Sequence, residues 1–217
     1  VDQYTYARLM LLSDISQGKY GGIPYPDECQ FQQVELVEVV RSSKRIVAAA
    51  LKFQLHMEQK SRTTRCHHSS DGPPLKSFLF DLRNKDSLHE EYAQQTLGAI
   101  KHVVSKFPLL SLHNRLAIVV PDESFRNCFL RPLENLLSTA TPRINFNIVT
   151  AETAGRFCTN NDGMSGDEAQ WSIVLDTVEE IDGLEWLVVI CVDLDAEQET
   201  ADDIAYAKTR SLLYRGV

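Results

Sequence analysis

Apolar residues in this chain fall into short continuous blocks separated by longer stretches of mixed character. The blocks at residues 8–12, 116–120, 171–175 and 186–192 are apolar apart from Arg8 and Ser172, and each is followed by Ser, Asp or Pro. Continuous apolar runs of this length predict strands buried on both faces. Residues 75–82 alternate and are rich in Phe and Leu, which predicts a further strand, and 146–150 predicts a short one. Ser42-Ser43 precedes Ile46-Val47-Ala48-Ala49-Ala50-Leu51 and predicts a capped helix running to about Glu58. Ser87-x-x-Glu90 is a capping box opening a helix to Lys106, with Tyr92, Leu97, Ile100 and Val104 at near-helical spacing. Pro121 stops the strand at 116–120, and Asp122 or Glu123 opens a helix through Leu137. Residues 204–216 predict a final helix. Gly and Pro mark a hinge-like connection at 18–28, and polar loops are expected at 60–74 and 159–168.

Strands alternating with helices predict an α/β fold, a mostly parallel sheet with helices on both faces. Ligands of such sheets bind at the carboxyl ends of the strands. The loops after Leu12, Val120 and Leu175 fall there.

Composition narrows this picture. The chain has 217 residues, room for one large α/β domain or a domain plus a fragment of another. A net charge of −8 argues against whole-molecule attraction to nucleic acid. Lys44, Arg45, Arg62 and Arg65 form a local basic stretch that reads as a solvated surface. Five cysteines, an odd number without a CxxC, fit a reducing compartment, hence the nucleus or cytoplasm. No apolar run reaches the ~18–20 residues needed to span a bilayer, so no membrane partner is expected. Cys66-His67-His68 lacks a second ligand pair at zinc-finger spacing and reads as an exposed loop. The acids from Asp193 to Asp203 lack the Gly and the spacing of a calcium loop. There is no GxxxxGK[ST], HExxH or GxSxG.

Four segments carry candidate chemistry. Leu11-Leu12-Ser13-Asp14-Ile15-Ser16-Gln17 ends in an amide able to orient water or a phosphate oxygen, and Tyr20 follows as an aromatic platform. Val37-Glu38-Val39-Val40-Arg41-Ser42-Ser43 sets a guanidinium, a forked donor for phosphate, at a helix start. Thr177-x-x-x-x-Asp182-Gly183-Leu184-Glu185-Trp186 joins a glycine able to take positive φ to a carboxylate. Arg210-Ser-Leu-Leu-Tyr214-Arg215-Gly216-Val217 closes the chain.

In order and spacing these segments resemble motifs of superfamily 1 helicases, the UvrD-like and schlafen-type NTPases. The resemblance implies a second RecA-like domain at 23–217, preceded at 1–22 by the last strand and exit loop of a first RecA-like domain. It implies that the chain ends inside the last motif, short of that motif's phosphate-binding arginine; Arg215 is not at that position. Gln17 and Arg41 match residues that reach nucleotide phosphates. Glu185 matches an acceptor of ribose hydroxyls, with Gly183 beside it, and Arg210 remains as a partner for an acid or phosphate. Tyr20 and Thr177 match residues that face single-stranded DNA or RNA. The implied cofactor is ATP with Mg²⁺, held mainly by the first RecA-like domain, because this chain lacks a P-loop. Two departures stand out: Glu179 where the family has His, and Asp182 where it has Lys. Acids near phosphates repel them, which favours nucleotide contact over strand translocation. The alternative from another class is a helicase-like domain without catalysis that serves as an interaction module.

Overall fold

The computed structural model describes residues 34, 36–54, 65–82, 85–140, 144–157, 169–195 and 203–216. The expected strand at 8–12, Gln17, Tyr20 and the loop at 159–168 lie outside them. A two-residue strand β1 (Glu38–Val39) leads into helix α1 (Lys44–Phe53) and pairs in parallel with β2 (Arg65–Cys66). After it come α2 (Leu88–Lys106), β3 (Leu116–Val120), α3 (Glu123–Ala140), β4 (Ile144–Val149), α4 (Ala151–Phe157), β5 (Ala169–Thr177), α5 (Val178–Ile181), β6 (Val188–Cys191) and α6 (Asp203–Gly216). The larger sheet has the order β4-β5-β3-β6, with every pairing parallel. The fold is therefore α/β, as the alternation of blocks predicts.

All five residues of β3 are buried, as befits a strand paired on both edges and covered on both faces. Successive side chains point to opposite faces of the sheet. Leu116, Ile118, Val120, Ile173 and Leu175 join one core with Ala93, Leu97 and Ile100 of α2 and Phe125, Phe129, Leu133 and Leu137 of α3. Ala117, Val119 and Val174 join a second core with Ala151 and Ala154 of α4, Val178 and Ile181 of α5, and Leu212 and Leu213 of α6. Thus α2 and α3 cover one face, and α4, α5 and α6 the other. Because β3 and β5 are neighbours whose following helices lie on opposite faces, their carboxyl ends form a topological switch point.

Several local expectations are corrected. Residues 75–82 form no ladder among the described residues. They run along α2, with Phe78 edge-on to His102 and Phe80 edge-on to Tyr92, while Leu79 points outward at 89% exposure. The alternation correctly separates inner from outer side chains, but the inner ones pack on a helix. Ser87 does precede α2, yet its hydroxyl pairs with Glu91 and caps no amide. A single 3₁₀ turn, Lys85–Ser87, leads into the helix and leaves Ser87 at φ −103°, ψ 15°, outside the extended geometry a capping side chain uses. Ser43 is the N-cap of α1, but its hydroxyl is buried without a partner among the described residues. The amides of Lys44 and Arg45 donate instead to the carbonyls of Ser70 and Asp71. Helix α1 ends at Phe53, short of Glu58, and Gln54 leaves it with ψ 131°. The stretch expected as a loop at 60–74 contributes β2, and His67 sits 3.1 Å from Glu38 across the small sheet.

Candidate functional site

The turn after β5 and the turn after β1 meet. Thr177 ends β5 and caps α5, its hydroxyl accepting the Glu180 amide at 3.3 Å. Helix α5 lasts four residues, and Gly183 then turns the chain at φ +81° with open space around its Cα. The positive φ anticipated for this glycine is therefore the one it adopts. The turn delivers Glu185 to the surface. From the other direction β1 delivers Arg41 just ahead of α1. The Arg41 Nη1 donates to Glu185 Oε1 at 3.0 Å across 144 residues of sequence. The two side chains remain 61% and 66% exposed, so the pair itself contributes only ~0–1 kcal/mol. Its significance lies in position: a guanidinium and a carboxylate adjacent at an open surface. Val34, Leu36, Val37 and Val40 before Arg41, and Leu184 and Leu187 around Glu185, are also exposed.

Other expected site residues are placed differently. Thr177 is only 7% exposed, with its hydroxyl committed to α5, so it presents little surface to a strand. Arg210 is turned toward the end of α1, where its guanidinium donates to the carbonyls of Lys52, Phe53 and Gln54. Those carbonyls have no partner within the helix, and a guanidinium is suited to several acceptors at once. Asp182, an acid where the resemblance calls for Lys, pairs with Arg215 at 2.9 Å. Trp186, next to Glu185, packs against the second core with its indole N–H buried and without an acceptor among the described residues.

At the switch point the structure reveals an arrangement absent from the sequence expectations. Asp176, its side chain 3% exposed, accepts from Arg126 at 2.6 Å. It also accepts the amides of Ala151 and Thr177, each at 2.9 Å. One buried carboxylate thus joins α3, the start of α4 and the end of β5, and it is neutralised where burial of a lone charge would be costly. Asp122 caps α3 beside it, accepting the Phe125 amide at 2.9 Å. The signal in the sequence is an acid as the next-to-last residue of an apolar strand. Nearby, Tyr92 donates to Asp193 at 2.5 Å. Burial raises the Asp193 pKa from its ordinary value, and Asp195 and Asp122 add to the rise, while the Tyr92 hydrogen bond and His89 oppose it.

Among the described residues no group of three His, Cys, Asp or Glu side chains could hold a metal ion, and no helix is long and apolar enough to cross a membrane. Comparison with protein-family models, with curated proteins and with solved structures finds no match.

Proposed function

We propose that this chain is the second RecA-like domain of a superfamily 1 helicase-like ATPase, supplying contacts to ATP held mainly by a first RecA-like domain. The observation that carries the reading is the meeting of Arg41 and Glu185. Each is singled out by a different motif, one as a phosphate contact and one as a ribose contact. Two surface residues 144 positions apart have no structural need to coincide. Their chemistry fits the nucleotide: a permanently charged fork for phosphate oxygens and a carboxylate acceptor for ribose hydroxyls. Their exposure, with exposed apolar residues flanking each in sequence, suits a face on which another domain closes. The topology is compatible with a RecA-like sheet. Mg²⁺ would supply neutralisation of phosphate charge and would be held on this reading by the first domain. Strand contact rests on Tyr20, because the Thr177 hydroxyl is committed to α5.

The test is ATP turnover by the parent protein with and without single-stranded DNA or RNA. Arg41→Ala is expected to lower stimulated turnover about a thousandfold or more, as loss of an arginine finger does. The 217-residue chain alone is expected to hydrolyse no ATP. Turnover by the chain alone, or a fully active Arg41→Ala parent, refutes the reading. A parent inert under every condition supports the second reading, a helicase-like interaction module. That reading is favoured by Asp182, which lies beside the Gly183 turn and makes an ion pair with Arg215.

A further inference from the structure

We infer that Arg215 is a positioning residue for the Glu185 turn, acting through Asp182; the inference rests on the nucleotide reading of Glu185. Arg215 comes from the last turn of α6, far from Glu185 in sequence, and is buried to 8% side-chain exposure. Its Nη2 lies 2.9 Å from Asp182 Oδ2 and reaches the carbonyl of Val178 at 3.5 Å. Both acceptors belong to the short segment between Thr177 and Glu185. The Arg215 Nε is buried without an acceptor among the described residues, so this head group is held by Asp182 and α5 at a cost in solvation.

The end of α6 is itself fixed. A Cβ on Gly216 would stand 2.7 Å from Leu194 Cδ1 and 3.0 Å from Cys191 Sγ, and the Cys191 thiol donates to the Gly216 carbonyl. Glycine lets α6 press directly on β6 and the residues after it. Arg215 therefore extends from a rigid support to Asp182, the C-cap residue of α5, where the backbone leaves the helix at φ −55°, ψ 131°. Gly183 next to it has no side chain to resist rotation, and the Leu184 amide is held by one bond to the Ile181 carbonyl at 3.0 Å. Thr177, Val178 and Ile181 hold the start of this segment and Trp186 its far end; between them the Asp182–Arg215 pair anchors the bend at Gly183 and helps fix where Glu185 emerges. This gives the acid at 182 a role: a lysine there would face Arg215 with like charge.

The experiment uses the parent protein with Asp182→Asn and, because Arg215 is buried and its truncation could unfold the protein, the conservative Arg215→Lys. Amide exchange at Leu184 is compared with that at Ile118 in β3. Binding of ADP is compared with binding of inorganic tripolyphosphate, which lacks the ribose that Glu185 would hold. Both variants are expected to speed exchange at Leu184 on the order of tenfold with Ile118 unchanged. They are expected to weaken ADP about tenfold, the scale of one charge-assisted hydrogen bond, and tripolyphosphate less than about twofold. Unchanged Leu184 exchange overturns the inference, as does equal weakening of the two ligands. A wild-type parent protein that binds neither ligand overturns the nucleotide reading itself, and this role with it.

Discussion

Asp193 occupies an uncommon backbone conformation and an environment that works against its ionised form. Its φ is +55°, a region that Asn and Asp enter more readily than other residues with a side chain. Burial, then the neighbouring Asp195 and Asp122, raise its pKa in the folded protein. For a carboxyl raised above its unfolded value, the stability it contributes is fully present below the unfolded pKa. That stability is lost as pH rises through the folded pKa. Asp193→Asn keeps the backbone preference and an oxygen acceptor for Tyr92, and removes the ionisation. It is expected to raise the thermal midpoint at pH 7 and to leave it unchanged near pH 3, below the ordinary carboxylate pKa of ~3.9. Equal shifts at both pH values would count against this account. At the same scale, the positive φ of Gly183 was legible because the glycine stands in a short run of distinctive neighbours, whereas the contact of Arg41 with Glu185 was not written in either motif. Asp176 was not legible either, because a buried acid looks like any other until its partner Arg126, 50 residues away, is in place. Thr177 was legible as a turn residue but not as a buried one, since its burial comes from helices packed over the end of β5.

Among the elements, the sequence was most informative where one physical term dominates. The β3 block and the Pro121 stop agree with the strand Leu116–Val120, and the final helix expected from 204 spans Asp203–Gly216. It was least informative where side-chain chemistry had several acceptors to choose from, as at Ser43 and Ser87. At α1, a segment remote in the sequence does the capping. Gly72 makes this possible: at φ +72° it lies under Ser43, where a Cβ would sit 2.3 Å from the Ser43 hydroxyl. Its carbonyl accepts from Arg45 at 2.8 Å. Gly72→Ala adds both a disfavoured backbone angle and a collision, expected to cost on the order of 1–3 kcal/mol. The loss should be concentrated in faster amide exchange across α1. An unchanged unfolding midpoint with intact α1 protection would show that the loop at 70–72 does not hold the helix.

In the whole molecule, the small β1–α1–β2 unit is tied to the large sheet through α6, where Arg210 takes the terminal carbonyls of α1, and through the exposed Arg41–Glu185 pair. Arg210→Gln is expected to raise amide exchange in α1 about tenfold or more while Ile118 and Val119 keep their protection. A uniform rise across the chain would mean that Arg210 supports global stability instead. The α/β class could be read from the alternation of apolar blocks, but the order β4-β5-β3-β6 could not, because periodicity says nothing about which strand lies beside which. That order has a consequence for assembly. A chain emerging from its amino end presents β3 and then β4 before the strand that joins them exists. The two are never neighbours, so the first half of the sheet cannot zip up as it is made. Strand β5 must enter between them, bonding on both edges, and β6 then closes the far side of β3. Such non-local pairing slows folding and leaves apolar strands waiting. During synthesis, the most buried strand of the finished protein is therefore the one that stands exposed the longest.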